Sequence, residues 1–507
     1  MPSATTKRSH GSAMVAGNHS KPRIEVGDGD LSRMTAEALS ALDAANSPVR
    51  LVRHGGNPCR IEEDDLGAPS IKLLRESVAK YELADAAVFY KETKDGPKRV
   101  IPPDPVVKNV LSIPSIPLPL LTRIIQAPIF SRGGALSCRA GYDAATATYL
   151  ASNGLEVPDL PECPNRTEIN RAIDLLCGDL LGDFPFTSES ERAHAIAMLL
   201  LPFARELVDG VTPLHLIEKP SPGTGASLMV DVITLIFLGQ SAAVMTQAKN
   251  EDEMRKRITA ILMTGCPMVV LDNLRYRLDS AALSAAITGP VWTDRILGYS
   301  RTTTIPNRCV WIATGNNPTL SNEVARRTIR IRLDSKIDRP WLRAGFRHDN
   351  LRTWTVAHRN DLVWAALVLI KAWISERRPP GRQPLGMFES WSTVMGGVLD
   401  VAGIPGFLAN LQEMYEENDD EMHWLRSLMA VWWDEHRDRP IKVGEIHRLS
   451  IDKGLNLPIG DGTDRSQMTR LGRLLVQHRD RQVGNRRLSR GDEYQGSYLW
   501  SLCELGE

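Results

Sequence analysis

Read residue by residue, the chain calls for an α/β core with a largely parallel sheet. Three features carry this reading. Between about residues 166 and 340, short apolar strands alternate with helical patterns. The strand-like run Leu214–Ile217 passes directly into a glycine-rich turn and then an apolar helix, Leu228–Leu238. Two further strands, Met268–Leu271 and Cys309–Ala313, each end in a short polar group.

The elements follow in order. Residues 1–48 are rich in Ser, Ala, Gly and Thr and read as a flexible tail with one weak helix over 31–45. Residues 49–165 mix short β-like runs with prolines and form an N-terminal α+β domain, with Gly141-Tyr142-Asp143 as a turn. Within 166–340, Ser188 and Glu191 are spaced as a capping box for a helix reaching about Ala204. Helices are expected over Glu251–Thr264 and Ser280–Ile287, and a hairpin over Trp292–Asn307. Residues 341–420 are a helical extension, strongly apolar from Asn360 to Ile374. Residues 413–421 hold six acids and no Lys or Arg, a solvated linker or helix face. Residues 421–507 have the helix–helix–hairpin rhythm of a winged helix.

The 61 basic residues balance the 61 acidic ones, so whole-chain charge gives no argument for nucleic acid. Any such surface must come from local segregation. The seven cysteines are widely spaced with no C-x-x-C, which argues against a zinc ribbon or disulfide framework and for reduced thiols. The longest apolar run, Leu362–Ile370, is far too short for a membrane span. With no signal-peptide pattern at the N-terminus, a soluble cytoplasmic protein is expected.

A strand, a glycine-rich loop and a helix together cradle phosphates, because loop and helix N–H groups converge on the anion. Here the loop is Pro222-Gly223-Thr224-Gly225, and Ser227 offers the hydroxyl suited to Mg²⁺. Two positions depart from G-x-x-x-x-G-K-[ST]. Pro220 replaces the first glycine, and Ala226 stands where the lysine belongs. Losing that ammonium removes a charge-assisted contact worth about 1.5–3 kcal/mol in binding, and more in the transition state. Lys219 is close in sequence but precedes the loop, over which it would have to fold back. The intact remainder of the loop suggests that Ala226 is a substitution of an original lysine, which the source gene decides.

Asp272 ends an apolar strand 45 residues after Ser227, the position from which a carboxylate holds Mg²⁺. Asn273 follows; its amide can orient water but cannot accept its proton. Glu251, Glu253 and Asp294 are unranked candidates for a general base. Asn316, at the tip of the third strand, is placed to position water or the γ-phosphate. Arg326 and Arg327, just before a β-like alternation, are candidates for reaching a neighbouring subunit's phosphate.

Together these residues resemble the AAA+ P-loop ATPases, specifically the superfamily 3 helicases of phage and mobile-element (primase-helicase) type. The match rests on 222–225 as loop, Asp272-Asn273 as Walker B, Asn316 as sensor 1 and Arg326-Arg327 as finger. The resemblance implies ATP and Mg²⁺ as ligands and a hexameric ring translocating on single-stranded or forked DNA. It also implies a replicative helicase of a phage, plasmid or integrated element, with any primase or initiator a separate protein. Its DNA hairpin corresponds to 294–304, where Arg295, Tyr299 and Arg301 are candidate DNA contacts. Ala226 implies weak hydrolysis. The alternatives are a non-hydrolysing ATP-binding scaffold or replication initiator, and a nucleotide-gated defence or regulatory protein.

From Arg465 to Arg490 the chain carries eight Arg and one acid. A helix over 468–478 presents Arg470 and Arg473 outward, and a β-wing over 479–500 has Arg486, Arg487 and Arg490 at its tip. A helix plus basic wing suits phosphate contacts to DNA.

Overall fold

The computed structural model describes residues 21–504 except 28, 64–68, 114–115, 152–153, 297–301, 418–419 and 495–496. Its centre is the expected α/β core with a parallel sheet. In chain order the core runs β1 (Leu214–Lys219), α1 (Ala226–Leu238), β2 (Val244–Met245), α2 (Glu251–Leu262) and β3 (Met268–Leu274). It continues with α3 (Ala281–Thr288), the hairpin strands β4 (Val291–Arg295) and β5 (Thr302–Pro306), then β6 (Val310–Asn316) and β7 (Thr328–Arg332). The sheet order is β2-β3-β6-β1-β7, and every pairing in it is parallel.

The sheet's middle strands are apolar along their length because both faces are covered. Leu214, Leu216 and Ile217 are at most 1% exposed. Helix α1 is apolar nearly all round, with Met229, Val232, Ile233, Ile236 and Phe237 buried. It stops at Gly239, which takes the left-handed backbone (φ 70°) typical of a helix end. Arg359 from the following helical region closes that end. Its Nε donates to Ile236 O, and Nη2 donates to Phe237 O and Gln126 O. A cation there also suits the helix dipole.

The long helix Arg359–Ser375 shares one apolar core with the sheet, as do Glu389–Ala402 and the helix Glu189–Ala204. Glu189–Ala204 begins where the capping-box spacing predicts, but for another reason. Ser188 makes no side-chain cap, and Glu191 turns inward to accept from the Arg332 backbone N–H at 2.7 Å and from Asn410 at 2.8 Å. Arg330, on the edge strand β7, is 2% exposed and paired to Glu413 at 3.3 Å, so this edge is not solvated.

The N-terminal region differs from expectation at two points. Residues 31–45 form a helix capped by Asp30, with Met34, Ala38 and Leu42 buried against strands and helices up to residue 118. From Arg23 onward, then, the chain is packed rather than a tail. Gly141–Asp143 is a strand, not a turn; it pairs antiparallel with Thr148–Leu150, and the reversal falls between them. The region is tied to the core by Arg123, which pairs with Glu206 (3.1 Å); the other Glu206 oxygen pairs with Arg308 (3.0 Å). A second tie joins the turn at Gly55 to the hairpin. Thr303 of β5 donates to Gly55 O at 3.0 Å, and Gly55 has φ 57°. A Cβ at Gly55 would lie 2.5 Å from Thr303 Oγ1.

At the C-terminus, helices Val443–Asp452 and Asp464–Gln477 pack on a four-stranded antiparallel sheet. This unit has its own apolar core around Trp432, Ile446, Leu471, Leu475, Leu488 and Trp500. All seven cysteines are free thiols. No helix among the described residues is long and apolar enough to cross a membrane.

Candidate nucleotide site

The site forms at the C-terminal edge of the parallel sheet, where β1, β3 and β6 end side by side. The loop after β1 is held from within by Thr224, whose hydroxyl donates to Ser221 O at 2.7 Å. Gly223 (φ 83°) and Gly225 (φ 110°) both take backbone conformations that disfavour side chains. They also lack room for one. A Cβ at Gly223 would lie 3.0 Å from Trp341 Cβ, and one at Gly225 would lie 3.2 Å from the Phe184 ring. The loop therefore runs between Phe184 on one side and the short helical turn Pro340–Leu342 on the other. Pro222 is exposed at its crest.

Helix α1 starts at Ala226, which is 1% exposed, and Ser227 is exposed one residue later. Ser227 Oγ lies 3.5 Å from Asp272 Oδ1. The same Asp272 oxygen accepts from the Thr314 hydroxyl at 2.5 Å, and that hydroxyl accepts from the Asn273 N–H at 2.9 Å. Thr314 is fully buried in β6 and had no sequence signal; a Thr inside an apolar strand reads as an ordinary β-former. Asn273 is exposed and left-handed (φ 56°), where β3 breaks register with β6 between Leu271 and Leu274. Asn is among the few non-glycine residues that tolerate that region. One hydroxyl and one carboxylate at this edge are the hard oxygen donors that suit Mg²⁺. Ser227 and Asp272 would hold the ion, which would offset phosphate charge.

Asn316 is exposed at the tip of β6, directly in register with Lys219 at the tip of β1. The Asn317 N–H donates to Lys219 O at 3.0 Å, fixing the two tips together. Lys219 is half-buried. Burial lowers its pKa below the ordinary lysine value, and the Asp272 carboxylate acts in the opposite sense.

The three general-base candidates are engaged elsewhere. Glu251 accepts from Ser280 Oγ (3.1 Å) and from the Ala282 N–H, so it caps α3. Glu253 pairs with Arg257 at 3.0 Å. Asp294 is 9% exposed and receives Arg255 (2.7 Å), Thr259 (2.5 Å) and the Arg295 N–H (2.8 Å).

The two candidate finger residues separate. Arg327 is tied back to Glu323, donating to its carbonyl at 2.5 Å. Arg326 is exposed and has no side-chain partner among the described residues. In the hairpin, β4 and β5 pair from Val291↔Pro306 to Arg295↔Thr302, with Arg295 exposed. Tyr299 and Arg301 lie outside the described residues.

The C-terminal arginines also differ from expectation. Arg486, Arg487 and Arg490 start and line the strand Arg486–Tyr494 instead of forming a tip. Arg486 covers the Trp433 ring at 4.8 Å, Arg487 pairs with Asp480 at 3.2 Å, and Arg490 covers the Tyr498 ring at 3.3 Å. Stacking on an aromatic face is a favourable use of a guanidinium in itself, so these groups are occupied. Arg470 is drawn back to Asp461 O (2.8 Å) and Ser466 Oγ (2.8 Å). Arg473 is exposed with no partner among the described residues.

No family model matches the chain, and no curated protein matches it. Among solved structures it is similar to the A-form apo structure of the NrS-1 C-terminal region, with a TM-score of 0.40 and 12% identity over 92% of this chain and 99% of that one. A second structure of that region, spanning 305–718, gives the same TM-score and identity over 92% and 100%. The chain is also similar to the SCCmec type IV Cch active helicase, with a TM-score of 0.33 and 10% identity over 90% and 97%. These likenesses are distant.

Proposed function

We propose that this chain is an ATP-binding DNA motor of the AAA+ superfamily 3 helicase type, serving replication of a phage, plasmid or integrated element as a ring oligomer. One observation carries the reading. The glycine loop, Ser227, Asp272 and Thr314 meet at one edge of a parallel sheet, with Ser227 and Thr314 hydroxyls on a single Asp272 oxygen. An ordinary glycine-rich turn needs no such hydroxyl–carboxylate–hydroxyl chain. The order β3-β6-β1-β7 adds support, since it sets the Asn316 strand between the loop strand and the Asp272 strand. Arg326 is exposed beside the edge strand β7, which is compatible with its serving a neighbouring copy.

The same site favours a second reading, an ATP-binding scaffold or initiator that assembles on nucleotide without turning it over. Ala226 supplies no cation, and the three acidic candidates for a base are occupied. The discriminating experiment measures ATP binding, ATP hydrolysis, oligomer mass and strand displacement for this chain and for Ala226→Lys. Hydrolysis and unwinding that rise in the variant support the motor. Nucleotide-dependent assembly without unwinding in either supports the scaffold. Absence of nucleotide binding by both overturns each reading.

A further inference from the structure

Lys219 and Ala226 are the two residues that bracket the loop, one ending β1 and the other starting α1. We propose that the phosphate-binding cation sits at the strand end of this loop rather than at the helix end, so that Lys219 supplies the positive charge Ala226 lacks. This rests on the nucleotide reading of the site and goes beyond it in naming the residue that meets the terminal phosphate.

Three observations lead there. First, Lys219 does not have to fold back over the loop. It ends the strand next to β6, in register with Asn316 and pinned by the Asn317 N–H, so its stem leaves from the same edge as Asn316 and Asp272. Asp272 lies two strands away, about 10 Å at ordinary strand spacing. A phosphate held between the loop and Asp272 would fall within that gap. Second, Lys219 has no carboxylate at ion-pair distance among the described residues, whereas its strand neighbour Glu218 is paired with Arg332. Asp272 is the carboxylate whose charge acts on it. A half-buried ammonium without a partner is costly, and an incoming phosphate would satisfy it. Third, Ala226, which starts the helix, is a buried methyl at 1% exposure, so the helix end of the loop supplies no cation of its own.

The test compares binding of Mg·ATPγS, Mg·ADP and AMP by titration calorimetry in the full chain. The proteins are the present chain with Ala226, which serves as the wild-type reference, together with Lys219→Ala, Lys219→Arg, Ala226→Lys, and Lys219→Ala combined with Ala226→Lys. Circular dichroism and thermal melting check that each is folded. The expected result is a loss of roughly tenfold to a hundredfold in ATPγS affinity for Lys219→Ala, the usual weight of one charge-assisted contact. AMP affinity stays nearly unchanged, Lys219→Arg retains most of the ATPγS affinity, and Ala226→Lys recovers it in the Lys219→Ala background. Wild-type ATPγS affinity in Lys219→Ala overturns the proposal and leaves the nucleotide reading standing. An equal loss for ATPγS and AMP also overturns it, since Lys219 then only supports the loop. If the wild type binds none of the three ligands, the nucleotide reading itself fails, and this proposal with it.

Discussion

Thr314 holds two residues of the site at once. Its hydroxyl donates to Asp272 and accepts from the Asn273 N–H. Thr314→Val keeps the shape and removes both bonds, leaving a backbone donor without its partner. The expected cost is about 1–3 kcal/mol in urea unfolding, with a weaker Mg²⁺-dependent nucleotide affinity in calorimetry. Unchanged values in both would show that the network is incidental. The left-handed backbone at residue 273 also explains the amide there. Asn273→Gly should be nearly neutral for stability, whereas a branched residue such as Val is expected to cost about 1–2 kcal/mol. Arg326 and Arg327 look equivalent in sequence, but among the described residues only Arg327 is paired. Arg326→Ala should leave the melting temperature unchanged while lowering any oligomer-dependent hydrolysis gained in Ala226→Lys. If Arg327→Ala alone lowers that hydrolysis, the assignment is reversed. Residue types at fixed spacing singled out the loop, Ser227, Asp272 and Asn316 as a candidate site, and the fold brings these to one edge of the sheet. Partners were not legible, because who pairs with Glu251 or Asp294 depends on contacts 29 to 39 residues away.

At the scale of elements, the helix Glu189–Ala204 carries a pH dependence. His194 is fully buried within it; Nδ1 lies 2.8 Å from Arg330 O, and Nε2 accepts from the Leu408 N–H at 3.0 Å. Burial pushes its pKa down from 6.5 to about 4, and a second proton would face the Leu408 donor. The unfolded chain therefore takes up the proton first. The stabilisation from His194 is full above pH 6.5 and is lost as pH falls toward 4. Glu191, raised to about 7 chiefly by burial, acts in the opposite direction over part of that range. The informative quantity is thus the difference between wild type and His194→Leu. The variant starts less stable at pH 7, and its deficit should shrink as pH falls. A constant deficit from pH 7 to 4 would refute the assignment. Element positions were well read from periodicity: α1, α2 and α3 begin within a few residues of their expected starts. Where an element had a special reason for its start, the reason was hidden, as at Ser188, because a capping-box spacing also suits a glutamate that turns into the core.

At the scale of the whole molecule, the described residues fall into distinct apolar cores, with the sheet, its flanking helices and Arg359–Ser375 sharing the largest. The parallel sheet was legible because strands covered on both faces must be apolar throughout. The N-terminal packing was less so, since helix 31–45 contributes mostly small residues, and alanines bury little area each. The C-terminal unit concentrates basic charge, yet four of the five arginines singled out there already have partners. If the unit binds DNA as proposed, Arg473→Ala should reduce the salt dependence of that binding by about one counterion without loss of stability. Arg486→Ala should instead lower the melting temperature of that unit, because it uncovers Trp433. Equal salt slopes in wild type and Arg473→Ala would remove helix Asp464–Gln477 from the binding surface.

The tie between Gly55 and Thr303 has a mechanical meaning. Thr303 lies at the second position of β5, near the hairpin's far end, and is clasped by a turn that admits no side chain. The hairpin is thus fastened at Thr303 to the turn at Gly55, so a displacement of β5 would be passed to the paired strands Leu51–His54 and Asn57–Glu63 on either side of that turn. Among the described residues, that turn supplies no hydrogen bond to the glycine loop or to Asp272, so the two ends of the hairpin's attachment can be altered separately.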